Sequence, residues 1–473
     1  MKKYIVAITA LVTLWSCQTD EQYEDLNRDP KNPTQVASEF LFTAATVSLA
    51  DNMASPNVND ALYRFLAQYW TTTTYLDEPN YNLQSRNNPD NVWSEIYRDV
   101  IFDLQDAKRI LNENTELSQA QKDARMGQIE VIEVYAWHVL VDTFGDIPYS
   151  QAVQAEEFPL PAYDDDMVIY EDLISRLTAA NTMLGAGQGY AGSDPVYGGD
   201  MNKWMLFANS LKLRLGMRIS DANPGLSQST VESAATAGLI LSNEDNATLQ
   251  YQSNDPNTNP LWVDLIQSGR ADFLASATIV DYMNELDDPR RMFYFKDNLA
   301  DGYDGGVYGG SNNFSAFTQI GELLEDPTRE GIFIDHAEVR FNLSMAAQLG
   351  YEVPGDAETH YNEAITASIT YWGGSAEDAA AYLSQADVAY DGSTEQYAKQ
   401  YWIAMFDNPF QGWSVWRKYD APELAIPAEF ETPVPLRFTY PIDEQNLNNA
   451  NYIDASDAIG GDDQQTPVFW DVE

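Results

Sequence analysis

Apolar residues recur at three- and four-residue spacing over long parts of this chain, and that periodicity restricts the fold to one assembled from amphipathic helices. The periodic stretches are 37–53, 59–76, 93–112, 117–144, 167–184 and 201–220, followed by 272–285, 338–350, 358–372 and 394–406. Short connections such as ENTELS, between 93–112 and 117–144, turn consecutive helices back on one another. A stack of such hairpins is what a tetratricopeptide-like solenoid requires. No strict 34-residue consensus is present, so the expected class, mainly α with helix pairs, rests on helix length and turn length.

Two helices carry clear ends. The run IEVIEVYAWHVLVDTFGDIPYSQA aligns Ile129, Ile132, Ala136, Val139 and Leu140, then meets Gly145 and Pro148, which stop a helix. The run GGDMNKWMLFANSLKLRLGMRI opens at Asp200, a favourable N-cap, and aligns Trp204, Phe207, Leu211, Leu215 and Ile219. Lys212, Arg214 and Arg218 fall off that stripe and read as a local basic patch. His138, inside an apolar helix, reads as a packed core histidine.

The N-terminus reads differently. Lys2 and Lys3 precede an uncharged run from Tyr4 to Trp15, the layout of a secretory signal and too short to span a bilayer. Leu14, Trp15 and Ser16 before Cys17 approximate a bacterial lipobox, with Trp15 bulkier than usual. Cys17 is the single cysteine of the chain, so it has no disulfide partner within it. Lipidation explains its placement; secretion with a free thiol is the alternative. The expected organisation is a signal at 1–16, a lipidated tether at 17–36 and one helical domain at 37–473.

Charge narrows the ligand. With 73 acidic against 26 basic residues the net charge is −47, which argues against nucleic acid and against polyanionic glycans. No P-loop, HExxH, GxSxG or EF-hand loop is found, and three scattered histidines make a zinc site a poor expectation. No cofactor is called for, and the sequence carries no sign for or against a structural calcium ion. A glycosidase needs two carboxylates at a set separation. Among so many acids no sequence pair identifies them.

Five segments in this order resemble the SusD/RagB family of nutrient-binding outer-membrane lipoproteins, on its branch with an LNxDPxNP start. They are DLNRDPKNPTQV, WHVLVDTFGDIPYSQA, GGDMNKWMLFANSLKLRLGMRI, NPFQGWSVWRKYDAP and VPLRFTYPIDEQNLNNANY. The resemblance implies four tetratricopeptide-like units with an irregular, loop-rich lobe bearing the ligand site, and no catalysis. It also implies lipid attachment to the outer membrane, facing the exterior, and a SusC-like TonB-dependent transporter as partner. Asp20 and Glu21 resemble the signal for surface display.

The segments 69–93 and 297–317 are long, rich in Gly, Asn, Asp and Tyr, and fall where the family's ligand loops fall. A glycan site needs flat aromatic faces beside polar side chains. The expected ligand contacts are Trp70, Tyr75, Tyr81, Arg86, Asn87, Asn88, Tyr303 and Tyr308, with Trp93 and Phe314 nearby. Trp70 and Trp93 stand at helix edges, where core packing competes with ligand contact. Trp204, Trp402, Trp413 and Trp416 accompany core stripes or the C-terminal signature, and Arg437, Tyr440 and Pro441 read as structural. The expected ligand is a neutral glycan, with a peptide as the alternative within the family and hydrolysis of a glycan as a more distant one.

Overall fold

A computed structural model describes residues 36–472, and helices dominate it. The signal, Cys17 and most of the tether lie outside the described residues. Helix α1 (Ser38–Ala54) packs on a second helical stretch that begins as α2 (Asn88–Glu95), passes through a π-helical turn at Ile96–Ile101 and continues as α3 (Phe102–Glu113). Next come α4 (Gln119–Phe144) with α5 (Asp166–Leu184), and α6 (Met201–Arg218) with α7 (Pro224–Ala237). After α8 (Ala277–Glu285), α9 (His336–Gln348) pairs with α10 (Ala357–Tyr371), and the short α11 (Ala376–Leu383) follows. Helix α12 (Thr394–Ala404) pairs with α13 (Pro409–Tyr419), and α14 (Ile442–Leu447) and α15 (Asn449–Ala458) close the chain. Although ENTELS joins α3 to α4, α4 packs more extensively on α5.

Helix ends follow the local chemistry. Ser118 Oγ accepts from Gln121 N while Gln121 Oε1 accepts from Ser118 N, a capping box that opens α4. Gly145 closes it at φ +82°, a left-handed value that a side chain resists, and its N–H reaches Val141 O at 2.8 Å. The expected stripe of α4 is fully buried, and from Val131 to Phe144 every side chain is buried, so α4 is a central helix. Asp200 caps α6 by accepting from Asn202 N at 3.0 Å and Lys203 N at 3.3 Å. Buried side chains from Phe42 to Trp470 form a connected hydrophobic core.

Residues 59–76 are not one helix. A single turn at Tyr63–Leu66 ends at Gln68, which is left-handed at φ +55°, and β1 (Trp70–Thr72) follows. The run of β-branched threonines favours extended backbone over helix. Strand β1 pairs antiparallel with β3 (Phe273–Ala275), Thr71 opposite Leu274, which also replaces the first turn of the helix expected at 272–285. A second small sheet joins β2 (Ala247–Leu249) to β4 (Gly331–Ile334).

The expected basic patch on α6 does not exist as a surface. Arg214 is 1% exposed and forms a two-pronged ion pair with Glu338 of α9, Nε to Oε1 at 2.5 Å and Nη2 to Oε2 at 2.7 Å. Arg218 is buried beside Asp142, with Nε to Oδ2 at 3.3 Å, and Lys212 is buried as well. The partners of Arg214 and Arg218 come from elements far away in sequence. His138 is a core histidine: its Nδ1–H donates to Tyr135 O at 2.5 Å, and burial, with Arg214 and Arg218 beside it, holds its pKa well below the usual value.

Candidate functional site

The two loop segments singled out in the sequence meet in space, and a third, 421–431, joins them. Asn312 Nδ2 donates to Thr72 O at 2.9 Å, and Thr71 Oγ1 donates to Val307 O at 3.2 Å. Asn80, 1% exposed, donates to Gly309 O at 2.8 Å and accepts from Phe430 N at 3.1 Å, so one amide bridges all three loops. Gln68 ties α8 to the first and third loops nearby: its Oε1 accepts from Thr278 Oγ1 and Ala425 N, each at 2.8 Å, and its Nε2 donates to Ala425 O at 2.7 Å and to Tyr81 at 2.9 Å. Gly309 is required where the loops touch, because it is left-handed at φ +67° and a Cβ there would stand 2.8 Å from Pro427. Loops tied by buried amides in this way hold their surface side chains in fixed places.

Four of the expected contact residues are buried instead. Tyr81 and Tyr308 are 2% and 3% exposed, their rings 6.0 Å apart, with Tyr308 Oη donating to Phe65 O at 2.6 Å. Both were expected on loop surfaces. They are buried because each phenol finds a partner inside, so its ring adds to the core without stranding a polar atom. Trp70 is fully buried in β1, against Phe273 at 5.7 Å and the Arg64 guanidinium at 4.9 Å. Asn88 is fully buried and donates to Val58 O at 3.0 Å and Asp60 O at 2.9 Å, which fixes the start of α2.

Tyr75, Arg86, Asn87 and Tyr303 keep solvent contact. The Arg86 and Arg270 guanidinium groups each lie 5.2 Å from the Tyr75 ring centroid, and Arg270 also donates to its hydroxyl. Both cations are paired, Arg86 with Glu78 and Arg270 with Asp272. Tyr75 is therefore a held ring rather than a free rotor. Tyr303 is steadied by Arg291 at 5.9 Å and by Phe295 at 5.8 Å.

Between the second and third loops lies a cleft of about 440 Å³ lined by Asp281, Tyr282, Glu285, Val307, Glu423 and Ile426, among others. Tyr282 Oη donates to Glu423 O at 2.9 Å, and burial, then the Glu423 charge, raise its pKa. Burial, then Asp304, raise that of Asp281. Ile426 is 70% exposed and Phe430 58% exposed on the third loop. The sequence reading missed this loop. Its one legible signal is APELAIPAEFETPVP, a Pro- and acid-rich stretch with apolar residues at no helical period.

A larger cleft of about 930 Å³ is lined by Asp194, Tyr197, Lys203, Asn246, Gln250 and Glu330, among others, and shares no residue with the three loops. Its one aromatic, Tyr197, donates its hydroxyl to Asp245 O at 2.9 Å and has Lys203 6.0 Å from its ring. Size alone does not make it the glycan site, since stacking needs free aromatic faces. Among the described residues no three acidic, histidine or cysteine side chains are placed to hold a metal ion, and no helix is long and apolar enough to cross a membrane.

A family model, SusD-like, described as starch-binding associating with outer membrane, matches residues 30–441. The chain belongs to the SusD-like family. Its members are glycan-binding proteins associated with the outer membrane. Among solved structures, a chitin-binding protein superposes with a TM-score of 0.79 at 24% identity, over 92% of this chain and 100% of the other. A chitin-binding SusD homologue from Flavobacterium johnsoniae gives 0.77 at 23% identity, over 91% and 99%. A SusD homologue from Bacteroides uniformis gives 0.76 at 24%, over 92% and 100%. At these identities the likeness speaks for the SusD-like fold. Among curated proteins no match is found.

Proposed function

We propose that this SusD-like chain is a surface lipoprotein that captures a neutral oligosaccharide on the three-loop face and delivers it to a SusC-like TonB-dependent transporter, without catalysis. The observation that carries the reading is the set of buried amides, Gln68, Asn80 and Asn312, which lock the loops while Tyr75, Tyr282, Tyr303 and Phe430 remain at the surface. A rigid aromatic face with polar neighbours suits a sugar ring, whose C–H face covers the aromatic while its hydroxyls meet side chains. The chitin-binding relatives support the ligand class.

The face also sets the sign of the ligand. Asp281, Glu285 and Glu423 line the cleft and outnumber Lys399, whose Nζ lies 5.0 Å from the Tyr282 ring, while the cations near Tyr75 are each paired with a carboxylate. A uronate or sulfated chain meets repulsion there in addition to the net charge of −47. Calorimetric titration at moderate salt is expected to show N-acetylglucosamine or glucose oligomers binding more tightly than alginate oligomers of equal length. Tighter binding of alginate overturns this assignment of the ligand.

Anchoring is proposed to come from a lipid on Cys17, and residues 18–36 to act as a tether between membrane and folded part. Cys17→Ser is expected to move the protein from the membrane fraction to the medium or soluble fraction in cells lacking the transporter. Unchanged membrane association in those cells contradicts the anchor.

A further inference from the structure

A separate cavity of about 250 Å³ opens beside the C-terminal turn of α1, lined by Ser48, Asp51, Asn52, Ser55, Asp60, Glu95, Asp99 and Pro260. Three of its carboxylates are held by neutral donors alone. Tyr251 Oη donates to Asp51 Oδ1 at 2.7 Å, Ser55 Oγ to Asp60 Oδ2 at 2.5 Å, and Asn52 Nδ2 to Glu95 Oε2 at 2.7 Å. The fourth, Asp99, has a side chain 39% exposed and is the one paired with a cation, Arg98. Burial pushes Asp51 up to about 6, with Asp60 adding to it, and burial also raises Asp60 and Glu95. Asp264 is raised to about 6, by burial first and then by Asp60.

Asn52 supplies an independent sign. It is 5% exposed, its Nδ2 is engaged by Glu95, and its Oδ1 has no hydrogen-bond partner among the described residues. A buried carbonyl without a donor is costly to keep, so Asn52 Oδ1 is an acceptor open to a ligand that donates. The cavity thus offers acceptors and negative charge, and two of its donors, Ser55 Oγ and Asn52 Nδ2, already bond its carboxylates. A bare divalent ion does not match it, because no three acidic side chains converge to metal-binding geometry. A cavity of this size suits a small organic cation, whose N–H groups reach several separated acceptors.

We propose that this cavity binds a primary ammonium group, carried by an amino sugar or by a small diamine. The site is independent of the glycan face and uses none of its residues. The test is calorimetric titration of the mature chain with glucosamine, N-acetylglucosamine, putrescine and calcium chloride at low salt, repeated on an Asp51→Asn, Glu95→Gln double variant. The expected result is binding of an ammonium probe, none of N-acetylglucosamine at this site, and a loss of tenfold or more in the variant. Binding of a neutral oligosaccharide at the loop face should be the same in both proteins, which also shows that the variant is folded. Preference for glucosamine identifies the source as an amino sugar, and preference for putrescine as a diamine. No binding of either amine, equal binding by the variant, or binding of calcium alone overturns the proposal.

Discussion

Arg214→Ala is expected to lower the free energy of unfolding by about 3–5 kcal/mol, the range for breaking a buried ion pair. Arg214 is 1% exposed, holds Glu338 through two nitrogens, donates to Phe333 O at 2.6 Å and lies 5.1 Å from the Tyr135 ring. It therefore ties α6 to α9 and to β4. Removing it leaves a fully buried Glu338 carboxylate with no other ion-pair partner among the described residues. The pair itself adds little net stability, because two charges leave water to form it. Arg214→Met combined with Glu338→Leu should therefore recover most of what the single variant loses. Urea unfolding measures both. A loss below about 1 kcal/mol for Arg214→Ala would mean that the pair is hydrated and not part of the core.

Tyr308→Ala is expected to cost about 3–5 kcal/mol, the range for a large aromatic removed from a core. The ring fills space against Tyr81 and the hydroxyl donates to Phe65 O, so the substitution leaves a void and removes one hydrogen bond, while Phe65 O keeps the Gln68 N–H at 2.8 Å. Tyr308→Phe separates the two, keeping the ring and costing about 0.5–1.5 kcal/mol for the lost hydrogen bond alone. Thermal melting of the two variants checks the order. If Tyr308→Ala melts like the parent, the ring is not packed under the loops.

These two residues show where sequence reasoning reaches and where it stops. Period 3.6 and the caps at Ser118, Asp200 and Gly145 are local, so α4 and α6 were readable within a residue or two. The family segments gave the architecture and its order. By contrast, Arg214 became a buried strut only through Glu338, which is 124 residues away in sequence. Tyr81 and Tyr308 sit in loop-like sequence, and nothing local says that each hydroxyl finds an interior partner. Apolar spacing continues through the threonines at 71–74 and reads as helix, whereas β-branching and the distant partner β3 put Thr71 and Thr72 in a strand, with Thr73 and Thr74 in the bend after it. Of the expected contacts, Tyr75, Arg86, Asn87 and Tyr303 stayed at the surface while Trp70, Tyr81, Asn88 and Tyr308 went under it. The helix at Pro224–Ala237 lacks a strong apolar stripe, yet Asn223 before Pro224 is a start signal that could have been read.

The central claim, that the three-loop face binds a neutral glycan, is tested most directly by titrating N-acetylglucosamine and glucose oligomers into a Tyr75→Ala, Tyr282→Ala double variant and its parent. Stacking on an aromatic face is worth roughly 1–3 kcal/mol for a flat ligand, with sugars toward the lower end. Loss of both rings should then weaken the binding by about tenfold or more, since 1.4 kcal/mol is a factor of ten. Both tyrosines are only partly buried, so the melting temperature should stay close to that of the parent. A parent that binds neither series, or a double variant that binds as tightly as its parent, contradicts the assignment of this face.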